Sequence, residues 1–170
     1  MKIKLWKFLS IAPVTIVALS ASCSSKKTKE ENYLNELIKN SEITANKLKL
    51  FTTAQNNSSQ QNLKALTSLE QDIISTKTLL AKKDHTNAEI ISATEKLLLT
   101  TKTAQQNLEI ETLITNLTTF KTVFKASREQ NAELREKYDE YITKIDSVIS
   151  NRNLVELKNL DKEIKELALV

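Results

Sequence analysis

Ile110-Glu111-Thr112-Leu113-Ile114-Thr115-Asn116-Leu117-Thr118-Thr119-Phe120-Lys121-Thr122-Val123-Phe124 is the stretch that decides the fold class of this chain. Ile110, Leu113, Leu117, Phe120 and Phe124 recur in alternating steps of three and four, the period at which side chains return to one face of an α-helix. Nothing in the stretch breaks a helix: glycine is absent from all 170 residues and the one proline is Pro13. A chain without these punctuators lacks the means for tight hairpins, phosphate-cradling loops and most strand turns, so an all-α architecture is expected.

The same period continues outward in both directions. Leu134, Tyr138, Tyr141, Ile145 and Val148 form one stripe, and Leu157, Leu160, Ile164 and Leu167 another. Toward the N-terminus the stripes are Leu34, Leu37, Leu48 and Phe51, then Leu63, Leu66, Leu69, Ile73 and Leu80, then Ile90, Leu97 and Ala104. Such faces bury against partner helices, so these residues are expected to form core, not a ligand box. Helix starts are marked by a capping side chain with Glu or Gln three residues on: Thr28 with Glu31, Ser58 with Gln61, Thr86 with Glu89, Ser127 with Gln130, and Asn153 with Glu156. Five starts imply at least five helices.

Between Thr100 and Asn107 the apolar pattern lapses to Ala104 alone, yet no residue there stops a helix. The expected arrangement is therefore one long helix from about Asn87 to Lys125 shared by two three-helix units, residues 30–105 and 106–170. The fold becomes an elongated pair of bundle or coiled-coil units on a common central helix. Residues 100–107 are expected to be its weakest internal point, because they add little apolar burial.

The N-terminus has a different design. Met1 to Lys7 carries Lys2, Lys4 and Lys7 without an acid, and Phe8 to Leu19 is apolar but well short of the ~20 residues needed to span a bilayer as a helix. Small residues then lead through Ser20, Ala21 and Ser22 to Cys23, the layout of a secretory signal. Cys23 is the only cysteine, so an internal disulfide is impossible and a dedicated chemical use is expected. The segment resembles the lipobox of bacterial lipoproteins, with Leu19 one place farther from the cysteine than in a common form of that motif. The resemblance implies a signal peptide over 1–22, cleavage between Ser22 and Cys23, lipidation of Cys23, and a polar tether over 23–29. Two or three acyl chains, at ~0.8 kcal/mol per buried CH2, would hold the body stably on the outer face of a cell membrane.

Charge narrows the partners further. The 25 basic residues less the three signal lysines leave 22 against 21 acidic ones, so the remaining body has no basic excess for a nucleic-acid partner. Abundant Lys, Asn, Ile and Thr suggests an AT-rich genome and, with the lipobox, a wall-less bacterium such as a mycoplasma.

Phe51-Thr52, then Ser59 with Leu63, Ala65 and Leu66, then Lys83-Asp84-His85-Thr86-Asn87-Ala88-Glu89-Ile90 with Ala93 and Leu97, resembles a FIVAR-type module over roughly residues 35 to 105. These three-helix repeats occur in tandem on bacterial surface and adhesive proteins. The layout as a whole resembles the helical variable adherence-associated lipoproteins of mycoplasmas.

No catalytic, metal or cofactor site is expected. His85 is the single histidine and stands in a polar turn, where a solvent-facing role is expected; a metal site needs three or four convergent ligands. Glu133, Glu136, Asp139 and Glu140 are interleaved with Arg135, Lys137 and Lys144 at helical spacing, the pattern of a solvated, ion-paired face. The functional expectation is a membrane-anchored surface lipoprotein acting as a non-catalytic adhesion or interaction module toward a host or surface macromolecule. The alternatives are a ligand-capture lipoprotein serving a transporter, or an antigenic spacer with no specific ligand.

Overall fold

The computed structural model describes residues 26–54, 59–82 and 84–167, and they form an all-α protein. Helix α1 spans Lys26–Ala54, α2 Gln60–Ala81, α3 Asn87–Gln130, α4 Arg135–Asn151 and α5 Leu154–Leu167, with a 3-10 turn at Ala132–Leu134. At 1.5 Å per residue the 44 residues of α3 extend about 66 Å, and every other helix packs on it. Helices α1 and α2 pack on its N-terminal part and on each other; α4 and α5 do the same at its C-terminal part. Cys23 and Ser22 lie outside the described residues, as does the expected cap Ser58. Among the described residues no helix is long and apolar enough to cross a membrane.

Directions follow from cross-helix pairs. The Asn107 amide donates to the Gln61 carbonyl (3.4 Å) and Lys96 pairs with Asp72 (2.7 Å), so α2 runs antiparallel to α3. Lys121 pairs with Asp146 and Arg128 with Asp139, which makes α4 antiparallel to α3 as well. Each unit is thus an up-down-up bundle, and the two share one helix.

Two hydrophobic clusters occupy these bundles. The first joins Leu34, Leu48, Leu69, Ile90, Leu97 and Ala104; the second joins Leu113, Leu117, Tyr141, Ile145, Leu157 and Ile164. Phe124 closes the second, its ring centroid 5.6 Å from Tyr138 and 5.8 Å from Tyr141. Threonine, a poor helix interior residue, is accommodated along α3 because its hydroxyls donate to carbonyls one turn back, as Thr112 does to Leu108 and Thr115 to Glu111.

Several sequence expectations need correction. Helix α1 already includes Thr28, and Lys26–Lys29 of the expected tether are helical. Helix α2 is capped by Ser59, whose hydroxyl accepts from the Asn62 N–H. Ser127 starts nothing: α3 runs through it to Gln130, and its carbonyl accepts the Asn131 N–H that closes the helix. Thr86 and Asn153 do act as caps, the first with the reciprocal Glu89 contact. Leu63, Leu134 and Leu167, expected in the core, are exposed. For Leu63 the reason is register, since Asn62 takes the inward position; Leu134 sits in the 3-10 turn, outside the helical phase.

Candidate interaction site

The weak apolar stretch of α3 carries a buried polar contact to α1, and a buried carboxylate follows it. Thr101 is buried and its hydroxyl lies 2.7 Å from that of Ser41 on α1, while also donating to the Leu97 carbonyl. Ala104 is fully buried in the first cluster. The stretch expected to be a bare bridge is therefore packed against α1 and α2, because small side chains let the helices approach closely where large ones would hold them apart.

One turn farther on, Glu111 is buried between the two clusters. Its Oε1 accepts from the Asn62 amide of α2 at 2.5 Å and from the Arg152 guanidinium of the α4–α5 turn. A buried carboxylate is tolerated only when it is paired and hydrogen-bonded, and here both partners converge on one oxygen. Arg152 reaches it from a left-handed backbone conformation (φ 52°) that ends α4, its N–H bonded to the Val148 carbonyl. The three residues thus tie the start of α2, the middle of α3 and the end of α4 together.

Beside this seam α2 and α3 leave a groove of about 550 Å³. Ala65, Leu99 and Ile110 give it an apolar lining, and its charged residues are Lys64 and Arg152. Leu99 is 67% exposed, a leucine on the lip and not in the core. A second groove of about 270 Å³ lies farther along the same helix pair, with Asp72, Glu89 and Lys96 as its charged residues. Bonds from the Thr86 N–H and hydroxyl hold the Glu89 carboxyl below its ordinary value.

His85 is not solvent-facing. Its Nδ1 lies 2.7 Å from the Lys82 carbonyl and its Nε2 2.8 Å from Glu31 on α1, with the side chain only 8% exposed. It joins the α2–α3 turn to α1. Among the described residues no three His, Cys, Asp or Glu side chains gather as a metal site would require. In the acidic region Asp139 pairs with Arg128 of α3 (3.0 Å) and Glu140 with Lys144 (3.0 Å), giving an ion-paired surface. Lys144 also lies over the Tyr141 ring, 5.1 Å from its centroid, and is held above its ordinary value, chiefly by the Glu140 hydrogen bond.

No family model, no curated protein and no solved structure matches this chain. The geometry therefore stands alone: two solid cores, a polar seam between them and an open trough along α2 and α3. Sequence reasoning missed the seam. Asn62, Glu111 and Arg152 are far apart in the chain and carry no motif; the one available signal was a glutamate one step off the Ile110–Leu113–Leu117 stripe.

Proposed function

We propose that this chain is a membrane-anchored surface lipoprotein whose helical body is a non-catalytic interaction module. The observation that carries the reading is the lone Cys23 at the end of a signal-like segment resembling a lipobox. The body is compatible with that role: two apolar clusters form its cores, and the two grooves between α2 and α3 are open troughs on the helix surface, a shape suited to a macromolecular partner more than to an engulfed small molecule. The resemblance to FIVAR-type modules of bacterial surface proteins supports an adhesive use of residues 35 to 105. The test is metabolic labelling with radioactive palmitate in a bacterial host that processes lipoproteins. Label on the native chain, lost together with processing in Cys23→Ser, is the expected result; a Cys23→Ser chain labelled and cleaved normally would overturn the anchor. Binding of the purified body to host cells, measured beside a charge-matched helical control protein, tests the interaction role separately.

A further inference from the structure

The only histidine of the chain sits where the α2–α3 turn meets α1, and both of its ring nitrogens are engaged. His85 Nδ1 lies 2.7 Å from the Lys82 carbonyl oxygen, and Nε2 lies 2.8 Å from Glu31 Oε1 on the second turn of α1. Both oxygens are acceptors, since neither a carbonyl nor an ionised carboxylate has a proton to give. A neutral imidazole carries one N–H and one bare nitrogen, so it can complete either contact but not both. In the other it sets a nitrogen lone pair against an oxygen lone pair at hydrogen-bond distance. Only the imidazolium, with an N–H on each nitrogen, satisfies the arrangement. Burial of the ring, 8% exposed, favours the neutral form. Losing the proton, however, deprives the Glu31 carboxylate of this donor, whereas keeping it makes a charge-assisted bond roughly twice as strong as a neutral one. The wider charge is balanced: Glu30 shares α1 with Lys26, Lys27 and Lys29, Asp84 follows Lys82 and Lys83 in the chain, and Glu89 lies in the first turn of α3. The contact with Glu31 therefore decides.

We propose that His85 is a proton-operated latch: as the imidazolium it ties the α2–α3 turn to the start of α1, and on losing its proton it releases Glu31 and frees that end of α1. The latch stands whether or not Cys23 is lipidated. Helix α1 begins at Lys26, shortly after Cys23 in the chain, so the end that opens is the one nearest the anchor proposed above. Its sign follows from linkage. The imidazolium gains two partners on folding, which raises its folded-state pKa above the unfolded value of about 6.5. The stability it adds is complete below that unfolded value and is lost as pH rises through the folded one. The latch is closed in acid and open in alkali.

The test uses the full-length chain labelled with nitrogen-15, in which one histidine gives one set of ring signals. Ring nitrogen shifts are followed by NMR from acid through alkaline pH, in buffer and in urea. Expected is the doubly protonated pattern at neutral pH, with a midpoint above that of the same chain unfolded in urea. Amide protection from Glu31 to Asn35, corrected for the base catalysis of exchange, should fall severalfold as pH rises through the folded midpoint, while protection from Ala45 to Leu48 holds. Glu31→Gln separates the latch from ordinary packing. Its side-chain amide can donate to a bare Nε2, so a neutral imidazole then completes both contacts. In that variant the midpoint should fall below the native one and the pH-dependent loss of protection should disappear. A folded midpoint equal to or below that in urea, or a neutral tautomer at neutral pH, would overturn the proposal. So would a midpoint indifferent to Glu31→Gln, or protection from Glu31 to Asn35 that does not change across the native midpoint. Should Glu31→Gln fail to fold, the native midpoint and the native protection profile decide by themselves.

Discussion

Arg152 and Glu111, 41 positions apart, form an ion pair that brings the end of α4 onto the middle of α3 beside the start of α2. The Glu111 side chain is 5% exposed and that of Arg152 29%, so the carboxylate depends on the pair more than the guanidinium does. Removing the arginine strands a buried charge, whereas removing the glutamate frees a cation that water reaches.

Arg152→Ala should therefore destabilise the protein by about 2–4 kcal/mol in urea unfolding, somewhat below the usual cost of breaking a fully buried pair because Arg152 is partly solvated. Arg152→Gly should cost about 1 kcal/mol less than Arg152→Ala, since glycine adopts the left-handed backbone without Cβ strain. Equal stability of the two variants would mean that the conformation at 152 carries no strain.

Truncation of the second core should be costly. Leu117 and Ile145 are fully buried, so Leu117→Ala or Ile145→Ala should each lower stability by about 2–5 kcal/mol. The Thr119 hydroxyl donates only to the Thr115 carbonyl on an exposed face, and Thr119→Ala should change little. Similar losses in all three would show that the stripe is not what holds α4 and α5 to α3.

The capping box at the start of α3 gives a pH signature. Thr86→Ala removes the side-chain cap and should cost about 1 kcal/mol. Glu89 is held below its ordinary value of 4.5 by its bonds to Thr86, so its charged form favours the folded state. That contribution is complete above the unfolded-state pKa and disappears as pH falls through the lower folded-state value. The stability gap between the native chain and Glu89→Gln should thus be widest near neutrality and close below pH 4.5; a gap that persists at low pH would mean the cap works without the charge.

Hydrogen exchange should be slow without a break from Ile90 to Ala104, because Thr101 and Ala104 are buried and the Ser41–Thr101 contact crosses to α1. The fast end of α3 should lie beyond Phe124, where Lys125 to Gln130 include no buried residue. Rapid exchange at Thr101–Ala104 would show that the hydroxyl contacts add little local stability.

Of the architecture, the apolar period and the absence of glycine determined the helices, the faces most of them bury and the shared central helix, because these are local properties that the stripes such as Leu113–Leu117 and Tyr141–Ile145 write directly into the chain. Sequence also carries whatever is said of Cys23, which depends on a linear motif. Tertiary structure decided the rest. The stretch Thr100–Asn107 looked bare because hydrophobicity alone was counted, whereas Thr101 and Ala104 are buried by close approach of α1, an effect of small size and hydroxyl pairing. Asn62 takes the interior position in place of Leu63, where its amide donates to the buried Glu111 carboxylate that Arg152 also reaches, and the α2–α3 trough exists only because α1 covers one side of that pair and leaves the other open. Such outcomes depend on groups that meet from distant parts of the chain, so no local pattern could have announced them.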